Sequence, residues 1–325
     1  MSTRTFTAIV NPTAGDGAAG GSGAAGPAAL LPLARLLREA GARVTVDYSR
    51  DLGHAAALAR QAVERGDVVL GVGGDGMAGC VGGAVAGTGG LFGIVPAGRG
   101  NDFARQLGIR GVTGRADAGA DADGADGDAP AVRKLAAALL EGEPHAVDAI
   151  EVTGADAAKT VVLGSVYAGV DAVANRNANR SRLLRGSAAY YVGALRAVVT
   201  WRPAAYRITV DGQSLDRRGY TVVAANSGFY GFGLHVAPEA EVDDGLLDVV
   251  IIKHAPKPLF FAIMKELETG AHVRRDVVEV LRGREVRIEA DRALPYGADG
   301  ELIGVLPVTA RVLPGALRVL GPGAA

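Results

Sequence analysis

The sequence predicts two domains: an α/β domain with a mostly parallel sheet over residues 1–142, then a β-rich, β-sandwich-like domain over 143–325. Three observations predict it. Up to about residue 105, short apolar runs alternate with helical segments in βαβα order, the pattern of parallel strands with helices on both faces. After about His145, short β segments broken by turns take over. A chain of 325 residues, 49% of them apolar, is long enough to build two cores.

Phe6–Val10 alternates and branches like a strand and runs into Asn11-Pro12-Thr13-Ala14-Gly15, a turn sequence. Residues 15–26, mostly Gly and Ala, read as a mobile loop. A helix is expected over Pro27–Ala40, with Leu30, Leu33, Leu36 and Leu37 on one face and Gly41 ending it. Arg43–Tyr48 is the second strand and His54–Arg65 the second helix. Val68–Val72 reads as a buried strand. It turns through Gly73-Gly74-Asp75-Gly76 into a helix over about Met77–Ala86, and a further strand, Leu91–Val95, ends in Pro96-Ala97-Gly98-Arg99-Gly100-Asn101-Asp102. Residues 111–131 scatter five aspartates among Ala and Gly with no apolar period, the composition of a disordered insert. A helix over Ala131–Leu140 closes the first domain. The second is expected to hold strands at 146–153, 160–170, 206–210, 220–226, 247–252, 285–290 and 308–313, helices at 186–200 and 258–267, and a strand-like tail at 317–320.

Composition excludes several classes. With 34 basic and 35 acidic residues the net charge is −1, which gives no electrostatic footprint for nucleic acid. One cysteine, Cys80, allows neither an internal disulfide nor a multi-cysteine metal site. No apolar run approaches the ~20 residues of a membrane span, and the start does not resemble a signal peptide. The expectation is a cytoplasmic protein, with any membrane contact peripheral, at the inner face. The run Arg176, Arg180, Arg182 and Arg185 is either a solvated surface or a contact for lipid headgroups or ATP phosphates.

The stretch from Val68 to Arg105 organises the chemistry. Two strands of one sheet each finish in a glycine-rich turn, and in open α/β sheets ligands bind outside the carboxyl ends of the strands. Gly73, Gly74, Gly76 and Gly98 let backbone N–H groups approach a phosphate closely. Asp75 can hold Mg²⁺ or the ribose-phosphate end of ATP. Asn101 and Asn11 can meet a nucleotide, and each also reads as a turn residue; Asp102 equally reads as a helix cap. The chain has no GxxxxGK[ST] and no ordered protein-kinase signatures.

Gly73-Gly74-Asp75-Gly76 followed by Pro96-x-Gly-x-Gly-Asn101-Asp102-Phe103-Ala104-Arg105 resembles the catalytic domain of the diacylglycerol kinase family, the bacterial lipid kinases in particular. Asn11-Pro12, Asp243–Asp248 and Asp299-Gly300-Glu301 extend the resemblance over nearly the whole chain apart from the insert. It implies ATP- and Mg²⁺-dependent phosphorylation of a lipid-like alcohol, above all diacylglycerol, with the nucleotide in a cleft between the two domains and a homodimer as an open option. It implies that Ser49 takes the place of a nucleotide-facing Thr, which otherwise reads as a helix cap. It implies a catalytic acid/base at Asp299 with Glu301 beside it; unaided, those residues read as a hairpin turn. It also implies a metal site of the Asp244 carboxylate with carbonyl oxygens at Glu241 and Leu246. Two departures stand out. Met77 replaces a usual Thr, so a threonine there is expected to restore a hydroxyl beside the phosphate cradle. Arg99 replaces another Thr and offers a charge to phosphate instead. Two rivals remain: an NAD kinase, which shares Gly-Gly-Asp-Gly, and a nucleotide-binding regulatory protein without turnover.

Overall fold

Four parallel strands order the N-terminal half. In the computed structural model, which describes residues 4–12, 25–98, 100–109, 129–180, 199–231 and 233–322 (side chains of 129 and 177–180 excepted), these are β1 (Thr5–Val10), β2 (Arg43–Tyr48), β3 (Val68–Gly73) and β4 (Leu91–Pro96). The helices are α1 (Ala25–Glu39), α2 (Leu52–Glu64), α3 (Asp75–Val85), α4 (Asp102–Gln106) and α5 (Ala129–Glu141). Each element expected in this half is found, shifted by at most two residues at its ends. The apolar face of α1 buries Leu30, Leu33 and Leu37, and Gly41, at φ 84°, ends it in the left-handed conformation that glycine adopts freely. The expected loop at 15–26 and insert at 111–131 fall largely outside the described residues, as does most of the helix expected at 186–200.

The parallel pairing runs β2-β1-β3-β4. The chain leaves β1 to one side for β2 and to the other for β3, so the topology reverses beside β1. The carboxyl ends of strands at such a switch point form the ligand crevice of open α/β sheets. Here those ends carry Asn11 and the Gly73-Gly74-Asp75 turn.

The remaining strands are β5 (His145–Thr153), β6 (Lys159–Val162), β7 (Ser165–Gly169), β8 (Ala204–Val210), β9 (Gln213–Ala225), β10 (Phe229–Tyr230), β11 (Leu234–His235), β12 (Leu247–Lys253), β13 (Val278–Gly283), β14 (Glu285–Ala290), β15 (Pro295–Ala298), β16 (Glu301–Val305) and β17 (Val308–Val319). Helix α6 (Val170–Arg180) follows β7 and α7 (Lys257–Glu266) follows β12. Most pairings here are antiparallel; β9 pairs with β7, β8 and β12. The core is mostly aliphatic, with Tyr206, Tyr220 and Phe260 almost fully buried in it and Tyr220 stacked on Phe260 at 4.0 Å between centroids. The chain divides into two compact units, one ending at Val147 and taking back Gly315 onward, the other spanning Asp148–Pro314. The tail strand thus departs from the sequence expectation. Arg318 and Val319 pair in parallel with Leu91 and Phe92 of β4, whereas the sequence placed the tail with the second domain. A parallel partner more than 200 residues away leaves no local trace in the chain.

Asp171 stands in the first turn of α6, half-buried beside Thr221. Burial pushes its carboxyl up to about 6, against hydrogen bonds from Thr221 Oγ1 (2.7 Å) and the Ala172 N–H (2.9 Å). A folded pKa above the unfolded value means stability that is full below the unfolded pKa and falls as pH rises through about 6. Asp171→Asn should therefore match the wild type near pH 4 and exceed it at pH 8, by up to ~2 kcal/mol, in denaturant melts. An equal effect at both pH values would show that the ionised carboxylate is not the source.

Candidate functional site

The two glycine turns meet backbone to backbone. A Cβ built on Gly98 would lie 2.3 Å from Gly74 Cα, and one on Gly74 would lie 3.2 Å from Gly98 Cα, so a side chain at Gly98 would drive the turns apart. Asp75 bridges them: its Oδ1 accepts hydrogen bonds from the N–H groups of Asp102 (2.5 Å) and Phe103 (3.3 Å). Its Oδ2 faces Gly100, where a Cβ would come within 2.5 Å of it and 3.4 Å of Asp102 Oδ2. Both carboxylates thus lie against Gly100, and any larger residue at position 100 would push them aside. Burial raises the Asp75 pKa, opposed by backbone N–H groups of Phe103, Asp102 and Asn101 and by its own. Gly74, extended, caps α3, whose first turn carries Asp75 and Gly76 at the carboxyl end of β3. Glycine backbone, a helix N-terminus and paired carboxylates form a donor set that fits a nucleotide phosphate chain with its cation.

Asn101 has a structural duty here. Its Oδ1 accepts from the Gly98 N–H and its Nδ2 donates to the Gly98 carbonyl, both at 2.9 Å, and it holds the N-cap position of α4 at φ 52° without a side-chain bond to the helix. The cap of α4 is therefore Asn101, and Asp102 is the first helical residue. Asn11 continues β1, its N–H donating to the Val72 carbonyl at 3.3 Å. Ser49 is buried, with N–H and Oγ both on the Val10 carbonyl. It is no helix cap, because Asp51 caps α2 through the His54 N–H. Arg99 lies outside the described residues.

Met77 corrects a sequence expectation. It is buried at 3% exposure, and a Cβ on Gly73 would lie 2.8 Å from Met77 Cβ, so the position packs under the turn. A threonine hydroxyl there would enter the core. Met77→Thr should lower stability by about 2–4 kcal/mol, read as a lower thermal midpoint, and bring no gain in kcat.

In the second unit, Asp299 and Gly300 form the β15–β16 turn with φ 46° and 84°, the two positive values that a type I′ turn requires. The Asp299 carboxylate is held by three successive N–H groups: Leu163 on Oδ2 (2.8 Å), and Gly164 (2.8 Å) and Ser165 (3.1 Å) on Oδ1. The single strand expected at 160–170 is interrupted there, between β6 and β7, which frees those groups to turn onto the carboxylate. Gly164 permits it, since a Cβ would sit 2.9 Å from Asp299 Oδ1. Asn175 of α6 holds the turn from its other side, donating to the Gly300 carbonyl at 2.6 Å and to Tyr167 Oη at 3.1 Å. No sequence signal marked Asn175; the stretch was read through its arginines. Glu301 is exposed.

The expected metal set at Glu241, Asp244 and Leu246 does not fit a cation. Asp244 Oδ1 accepts the Leu246 N–H at 2.9 Å and Oδ2 is paired with the Arg282 guanidinium. Among the described residues no cluster of three or more His, Cys, Asp or Glu is arranged to hold a metal ion. Arg282 escaped the sequence reading because β13 was not expected as a strand.

Residues 5–152 match the family model described as the diacylglycerol kinase catalytic domain, and residues 164–321 match that of a YegS C-terminal NAD kinase beta sandwich-like domain. A diacylglycerol kinase of Mycobacterium tuberculosis is 32% identical over 319 residues, covering 97% of this chain and 94% of the relative. The chain belongs to the diacylglycerol kinase family. Its reaction class is therefore nucleotide-dependent phosphorylation of a lipid. A "probable lipid kinase YegS-like" of Chromohalobacter salexigens is 30% identical over 311 residues, 91% of each chain. A crystal structure of a diacylglycerol kinase from Bacillus anthracis superposes with a TM-score of 0.66 at 17% identity, covering 99% and 98% of the two chains, a likeness that shows the fold. Like the sequence, the described residues contain no helix long and apolar enough to cross a membrane.

Proposed function

We propose that this chain transfers the γ-phosphoryl group of ATP to the primary hydroxyl of diacylglycerol, giving phosphatidic acid. The observation that carries the nucleotide half is the Asp75 bridge between two glycine turns at the carboxyl ends of β3 and β4. The acceptor half rests on the extended similarity to relatives named diacylglycerol kinase. In this reading the α3 turn and Gly98 cradle the phosphates, while Asn101 and Asn11 shape the rim. Asp75 and Asp102 would hold the Mg²⁺ that accompanies ATP and neutralises phosphate charge. Asp299 would accept the proton of the attacking hydroxyl. Its three N–H donors fix the orientation of the carboxylate. Glu301, exposed beside it, is the reserve candidate.

The deciding experiment offers γ-labelled ATP with a panel of diacylglycerols, other lipid alcohols and small hydroxylated metabolites. Labelled phosphatidic acid is the expected product. Label on another acceptor alone would replace diacylglycerol as substrate. Tight ATP binding with no transfer to any acceptor would support a nucleotide-binding protein without turnover.

A further inference from the structure

The acidic turn before β12 is organised around a side-chain cation. Its backbone is fixed by Asp148, which donates its N–H to the Val242 carbonyl at 2.6 Å and accepts the Gly245 N–H on Oδ2 at 2.7 Å. Gly245, at φ 72°, makes the turn that brings Asp244 round. Across the β12–β13 ladder Arg282 is the direct partner of Asp248. Its Nε lies 3.5 Å from Asp248 Oδ1, while its Nη2 pairs with Asp244 Oδ2. One planar guanidinium therefore ties a strand carboxylate, itself only 2% exposed, to a turn carboxylate.

We propose that Arg282 is the resident cation of this turn, tying Asp244 to Asp248 as a bound divalent ion would, so that the second unit needs no structural metal. A metal ion on Asp244 Oδ2 would stand against a fixed positive charge. Asp244 and Asp248 with Arg282 sum to −1; without the arginine they sum to −2. Ions have access, because Asp244 lines an open groove of about 550 Å³. The arginine, and not burial, is what keeps a cation out. The proposal stands whatever the acceptor lipid.

The test uses the full chain free of nucleotide. Arg282→Met keeps the apolar stem and removes the charge. Wild type should bind no Mn²⁺ at this turn, and its thermal midpoint should move by less than about 1 °C between EDTA and about 10 mM MgCl₂ or CaCl₂. Arg282→Met should melt several degrees lower in EDTA, recover at least half of the loss in either salt, and bind about one extra Mn²⁺ that adding Asp244→Asn abolishes. Mn²⁺ binding by wild type that Asp244→Asn removes would overturn the proposal. So would an Arg282→Met protein that binds no additional ion. Should Arg282→Met not fold, Arg282→Lys carries the test: it keeps a charge, so it must remain indifferent to the salts, and Mn²⁺ binding by it would equally defeat the idea.

Discussion

Asp299→Asn should lower kcat on the true acceptor by at least ~10²-fold while MgATP affinity stays within a few-fold of wild type. A primary alcohol is a poor nucleophile at neutral pH, and a positioned base contributes about 10²–10⁴-fold. Asparagine tolerates the left-handed φ of 46° and keeps the turn. It cannot keep every bond. Its single oxygen can serve the Gly164 and Ser165 N–H groups, but its amide then faces the Leu163 N–H, donor against donor. That conflict should cost about 1–3 kcal/mol of stability, so kcat must be measured well below the lowered midpoint. A kcat close to wild type would reduce Asp299 to a turn residue and pass the proton to Glu301. A loss of ATP affinity would mean that the roles given to Asp75 and Asp299 are exchanged or shared.

Asp75→Ala should abolish measurable transfer and weaken MgATP binding. It leaves the Asp102 and Phe103 N–H groups without their acceptor and unties the two glycine turns. Misplacing a bound group by about 1 Å already costs ~10²-fold in rate. Asp75→Asn separates structure from chemistry. It retains an oxygen for both N–H groups but not the charge. Burial raises the Asp75 pKa, so its ionised form weakens the fold at neutral pH; that cost shrinks as pH falls through the folded pKa and is gone below the unfolded one. Asp75→Asn should accordingly be at least as stable as wild type at pH 7 and no more stable at pH 4, yet still fail to turn over. An active Asp75→Asn would show that the bridge matters and the charge does not; an active Asp75→Ala would remove the phosphate-cradle reading altogether.

Local chemistry determined a large part of this protein. The period of Leu30, Leu33 and Leu37 marks α1, the apolar run before Gly73 marks a buried strand, and Asp299-Gly300 marks a type I′ turn, because each depends on neighbours a few residues away. The glycine turns and the long second motif were enough to suggest the family. What the chain could not show is what meets across distance. Met77 stands where a threonine hydroxyl beside the phosphate cradle is expected, and only its packing against Gly73 puts the position in the core. The tail strand finds β4, the Leu163–Ser165 N–H groups find Asp299, and Arg282 finds Asp244 and Asp248. Strand register and side-chain partners at such separations are set by which pairing buries apolar faces and satisfies backbone groups together, and that choice is made only by the folded chain.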